Sequence, residues 1–84
     1  MILLWGFNVE VAFLLITTNL SSEDKVVGEL RKIPNIKEAC AVYGIYDVVA
    51  RVEAESMEKL KEIVASKIRG LDNVRSTLTM IVAE

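Results

Sequence analysis

Ile36-Lys37-Glu38-Ala39-Cys40-Ala41-Val42-Tyr43-Gly44-Ile45-Tyr46-Asp47-Val48-Val49-Ala50-Arg51-Val52-Glu53-Ala54 reads as two strands joined at Gly44-Ile45. The arms run from Ile36 to Tyr43 and from Tyr46 to Ala54. A glycine-containing break between two such runs signals a hairpin. In the second arm Val48, Ala50 and Val52 alternate with Val49, Arg51 and Glu53, which sets the register. Gly44 suits a tight turn that needs a positive φ, and such a turn also lets backbone approach a ligand.

A helix is expected on either side of this hairpin. Upstream, Val26, Val27, Leu30 and Ile33 recur at helical spacing and make one apolar face. Ser21 or Ser22 can cap its first amides, Glu23 and Asp24 match the positive end of its dipole, and Pro34 stops it after Arg31 and Lys32. Downstream, Ser56 opens a second helix in which Met57, Leu60, Ile63, Val64 and Ile68 share a face. Glu58, Lys59, Lys61 and Glu62 form its solvated side, and Gly70 is placed to end it in the left-handed conformation. Two further strands lie outside the helices, Val9 to Thr18 and Asn73 to Val82. In the last of these Val74, Ser76, Leu78, Met80 and Val82 alternate with Arg75, Thr77, Thr79 and Ile81.

The order is β-α-β-β-α-β, the ferredoxin-like plan of the α+β class: a four-stranded antiparallel sheet with two helices on one face. The other face is apolar too. Ala12, Leu14 and Ile16 alternate with Val11, Phe13 and Leu15, and Ala39 and Ala41 with Cys40 and Val42. A sheet apolar on both sides has to be covered on both. The chain offers no third layer, so a second copy is the expected cover.

Composition narrows the function. With 84 residues, 52% hydrophobic and 26% charged, the chain is one globular domain. Alone it buries only about 60% of its unfolded surface, which favours a partner. Its single cysteine, Cys40, allows no internal disulfide and fits a reducing compartment; mid-strand, it reads as a buried, inert thiol. With no histidine, a zinc site would rest on one thiol and carboxylates, so no metal or other cofactor is expected. The net charge of −2 and the lack of a basic stripe argue against direct nucleic-acid binding. An RNA-recognition domain would need stacking aromatics on its middle strands, and a copper chaperone paired cysteines. No dyad of carboxylates or other general acid and base is spaced for catalysis, so the chain is not expected to be an enzyme. The first basic residue is Lys25 and Glu10 interrupts the leading apolar run, which excludes a signal peptide and a membrane span and leaves a cytoplasmic expectation. Residues 1–8, with Trp5 as a possible anchor, read as an apolar extension that must be buried against the sheet or a neighbouring chain; residues 9–84 are the domain.

Four stretches carry a family resemblance: Ala12-Phe13-Leu14-Leu15-Ile16; Ile33-Pro34-Asn35-Ile36-Lys37-Glu38-Ala39; Val42-Tyr43-Gly44-Ile45-Tyr46-Asp47-Val48; and Val74-Arg75-Ser76-Thr77-Leu78-Thr79-Met80-Ile81. The Gly-x-Tyr-Asp hairpin followed about thirty residues later by Ser-Thr-x-Thr is the specific part. From about Val11 to its C-terminus the chain resembles the ligand-binding domain of Lrp/AsnC-family transcriptional regulators, the RAM domain. The resemblance implies dimers whose sheets pack face to face into an αβ barrel, further assembly into rings such as octamers, and amino-acid binding in clefts between dimers. Those regulators also carry an N-terminal helix-turn-helix, for which there is no room here, so a stand-alone module without DNA binding is expected, with a full-length regulator of the family or a metabolic enzyme as its partner. An ACT-like amino-acid-binding domain shares the element order and differs mainly in dimer pairing; a small dimeric αβ-barrel enzyme is the alternative of another class.

Six residues stand out as ligand-binding candidates: Tyr43, Gly44, Tyr46, Asp47, Thr77 and Thr79. Asp47 could accept from a ligand ammonium group, or simply bond its own turn. Tyr43 and Tyr46 could line a pocket or pack at a subunit interface. Thr77 and Thr79 share a side of the last strand and could bind a carboxylate, although threonine also favours strands for their own sake. Arg51 and Glu53 share a face and could pair across strands or subunits, although surface charge is the default reading.

Overall fold

The computed structural model describes residues 9–83. The elements follow the expected order: β1 (Glu10–Thr18), α1 (Glu23–Arg31), β2 (Ile36–Ala41), β3 (Val48–Ala54), α2 (Met57–Ile63) and β4 (Val74–Ile81). The strands form one antiparallel sheet in the order β2-β3-β1-β4. This is the ferredoxin-like architecture. Residues 1–8, including Trp5, lie outside the described residues.

The core lies between the sheet and the helices. Ala12, Leu14 and Ile16 of β1 and Val48, Ala50, Val52 and Ala54 of β3 face Val26, Val27 and Leu30 of α1 and Leu60, Ile63, Val64 and Ile68 of the second helix. The alternation in β3 thus has the expected register, since Leu14 stands opposite Ala50 and Ile16 opposite Val48.

Several local expectations change. Ser22 is the N-cap of α1, but no side-chain bond caps the helix there; the hydroxyl donates instead to the Leu20 carbonyl at 3.4 Å. Gly70 does not have positive φ. That role falls to Asn73 (φ 73°), whose carbonyl accepts from the Asn19 amide at 2.9 Å. The second helix widens into a π-helical segment over Val64–Ile68. A bulge in β4 leaves Arg75 without a partner, since Thr17 pairs with Ser76 and Thr18 with Val74. One extra residue flips the alternation, so Val74 packs against the core instead of sharing a face with Ser76 and Leu78. Cys40 is exposed rather than buried, because it faces away from the helices on the edge strand β2.

The second helix does receive its expected cap. Ser56 Oγ accepts from the Lys59 amide at 3.1 Å. Ser56 is exposed, so Ser56→Ala removes this bond and little packing. It is expected to destabilise the chain by about 1 kcal/mol, read in thermal unfolding as a Tm lower by roughly 4–8 °C.

Candidate functional site

The hairpin is more open than a tight turn. β2 ends at Ala41 and β3 starts at Val48. The loop between them closes through the Val42 amide, which donates to the Asp47 carbonyl at 2.9 Å. Gly44 holds φ at 140°, with nothing within 4 Å of where a Cβ would stand, so backbone conformation alone demands glycine there.

Asp47 is pinned to β1. Its amide donates to the Ile16 carbonyl at 2.9 Å. Its Oδ2 accepts from the Thr18 amide at 2.8 Å and from Thr18 Oγ1 at 3.4 Å. The carboxylate therefore does not bond its own turn. It satisfies the last amide of a strand 29 residues away in sequence.

That tie brings the loop against the start of α1. Tyr43, Gly44 and Asp47 line a cleft of about 400 Å³ together with Glu23, Asp24, Ala41 and Val42. Three of the six candidates meet here. Tyr43 is fully exposed at the loop tip, and Tyr46 is half-buried beside the cleft residues in sequence without lining the cleft. Glu23 and Asp24 were legible only as partners of the helix dipole. Their place in the cleft depends on the Asp47–Thr18 contact, for which local sequence gives no signal. Glu23, Asp24 and Asp47 among the lining residues give the cleft the sign that suits a cationic group such as an ammonium.

Thr77 and Thr79 do not reach this cleft within one chain. They pair with Ile16 and Leu14 and so point to the helix side of β4. Thr79 lines a groove between α2 and β4, and Thr77 a recess with Arg69, Val74, Arg75 and Ser76.

The sheet face away from the helices is uncovered. β1 contributes Val11, Phe13 and Leu15, β3 contributes Val49, and β4 contributes Leu78 and Met80. Phe13, Leu78 and Met80 are between a third and a half exposed. Toward β2 the face turns ionic: Arg51 pairs with Glu53 on its own strand, and its Nε lies 3.6 Å from Glu38 Oε1 across the sheet. The contact with Glu38 is the cross-strand pairing expected of Arg51, whereas its pairing with Glu53 lies within one strand.

A family model described as the Lrp/AsnC ligand binding domain matches residues 11–84. The chain belongs to the Lrp/AsnC ligand-binding-domain family. Among curated relatives, the HTH-type transcriptional regulator FL11 of Pyrococcus furiosus is 31% identical over 77 residues, covering 92% of this chain and 50% of its own. This Lrp/AsnC domain spans about half the length of the curated regulators it matches. A homocitrate synthase of Sulfurisphaera tokodaii is 39% identical over 57 residues, which cover 68% of this chain but only 12% of the enzyme. Among solved structures, hypothetical protein PHS023 of Pyrococcus horikoshii superposes with a TM-score of 0.84 at 36% identity over 90% of each chain. Among the described residues, no helix is long and apolar enough to cross a membrane.

Proposed function

We propose that this Lrp/AsnC domain is a non-catalytic effector-binding module that takes an amino acid and alters its own assembly in response. The observation that carries the reading is the cleft under the hairpin loop, lined by Gly44 and by the acidic residues Glu23, Asp24 and Asp47. The ammonium group would sit against these carboxylates, with Tyr43 flanking the side chain. Thr77 and Thr79 of a neighbouring subunit would offer hydroxyls to the ligand carboxylate, so each site is completed between dimers.

The dimer itself would form through the uncovered sheet face, two copies closing into an αβ barrel, with dimers assembling further into a ring such as an octamer. A ligand held between dimers favours whichever assembly keeps the cleft closed. Residues 9–84 act as the module and residues 1–8 as an extension. The setting is the cytoplasm, with a full-length regulator of the same family as the downstream partner and no direct contact with nucleic acid. The similarity to a short part of a homocitrate synthase supports a second reading, in which the module serves a biosynthetic enzyme instead.

Size-exclusion chromatography with light scattering, run with each common amino acid in turn, tests this. A multimer whose mass or Tm shifts with a few amino acids is expected; at about 100 times Kd the ligand adds about 2.7 kcal/mol to stability. A monomer indifferent to all of them overturns the reading.

A further inference from the structure

The four arginines of the chain fall into two kinds. Arg31 donates twice to the Ala39 carbonyl, and Arg51 pairs with Glu53 and Glu38. The guanidinium groups of Arg69 and Arg75 have no acidic partner among the described residues. These two line one recess of about 280 Å³ with Val74, Ser76 and Thr77. Asp72, the acid between them in sequence, lines a different recess with Lys25 and Glu29.

Two irregularities of the backbone place the pair. The Arg69 amide donates to the Val64 carbonyl, five residues back, at 3.0 Å, and so closes the π-helical segment Val64–Ile68. Arg75 is the residue that the β4 bulge leaves without a partner. Both are devices that re-aim side chains and that recur beside functional sites. The hydroxyls come from the strand that follows. Ser76 Oγ lies 2.6 Å from Thr17 Oγ1, and when Thr17 donates, the Ser76 proton is free for an acceptor in the recess. Thr77 brings a second hydroxyl.

Two guanidinium groups and two hydroxyls, with no acid among the described lining residues, are a donor set for an oxyanion. One guanidinium fork already meets both oxygens of a carboxylate. Two forks and two hydroxyls match the terminal oxygens and the higher charge of a phosphoryl group. The pair also reverses the sign locally in a chain of net charge −2, which draws an anion to this recess.

We propose that the Arg69–Arg75 recess at the β4 bulge binds a phosphoryl group, free or carried by a small metabolite. It shares no lining residue with the acidic cleft under the hairpin loop. The proposal goes beyond the effector reading and takes Thr77 from it, leaving Thr79 as the hydroxyl on that side.

Phosphorus NMR of inorganic phosphate with the full chain, at fixed ionic strength and without any amino acid, reads binding through line width. Saturable broadening is expected. Arg69→Gln and Arg75→Gln, both at exposed positions, should each weaken binding about tenfold through loss of one charge-assisted contact, with circular dichroism unchanged. Lys67→Gln removes the same charge from the same helix outside the recess, and at physiological salt should change binding by less than about twofold. Phenyl phosphate distinguishes the source. Arg69 also lines the apolar groove between α2 and β4, so tighter binding than inorganic phosphate assigns the site to a phosphorylated metabolite, and equal binding to phosphate itself. Broadening that does not saturate, indifference to both arginine variants, equal weakening by Lys67→Gln, or displacement by acetate as readily as by phosphate overturns the proposal. No amino acid takes part, so such a result leaves the reading of the acidic cleft untouched.

Discussion

Leu78→Arg is expected to convert the proposed face-to-face dimer into folded monomers. Leu78 stands opposite Leu15 at the middle of the uncovered face, is 45% exposed in the single chain, and belongs to no part of the core. A charged side chain there costs the isolated fold little, since substitutions away from buried contacts usually change stability by under about 0.5 kcal/mol. In a face-to-face dimer the same guanidinium would be buried twice among Phe13, Val49 and Met80, with no partner. An uncompensated buried charge costs roughly 3–5 kcal/mol, so dissociation should become two to four orders of magnitude easier, at about 1.4 kcal/mol per tenfold. Light scattering reads the mass and circular dichroism the fold. A variant that stays dimeric with its circular dichroism intact would move the interface off this face.

The properties of this face were legible because strand periodicity is a local property. Val11, Phe13 and Leu15 alternate with Ala12, Leu14 and Ile16, and only one of the two sets can face a two-helix layer. The same logic placed Arg51 and Glu53 together and gave the ferredoxin-like order, which the family match and the sheet topology bear out. It failed where a single residue interrupts the period. The Arg75 bulge moved Val74 across the sheet, and nothing in the composition of Val74-Arg75-Ser76 announces it. Cys40 differs for a related reason: an apolar neighbourhood in sequence implies burial, whereas an edge strand on the open face leaves its side chain exposed. Residue type alone favours a left-handed Gly70, but the chain adopts that conformation at Asn73, where a backbone bond to Asn19 holds it. The cleft was only half legible. Tyr43, Gly44 and Asp47 are neighbours in sequence, while Glu23 and Asp24 join them through a contact that only the folded chain makes.

Asp47 carries that contact, and two substitutions separate its structural work from any work on a ligand. Asp47→Ala removes the acceptor for the Thr18 amide at the end of a central strand. The amide is part-buried, and leaving such a donor unmet costs roughly 1–3 kcal/mol, a sizeable share of the roughly 5–15 kcal/mol that holds a domain together. The hairpin loop would lose its tie to β1, so the cleft should loosen as stability falls. Asp47→Asn keeps an oxygen in the same place. It loses only the charge-assisted part of the bond, so its Tm should fall much less than that of the alanine variant. The carboxylate charge is gone in both. If Asp47 meets the ammonium group of an amino acid, the asparagine variant should fold and assemble normally and yet show little of the thermal shift that the amino acid produces in the native chain. A full thermal shift in Asp47→Asn would assign the residue wholly to the fold and leave Glu23 and Asp24 as the anionic wall. Parallel melts of the native chain and both variants, with and without the amino acid, distinguish these outcomes.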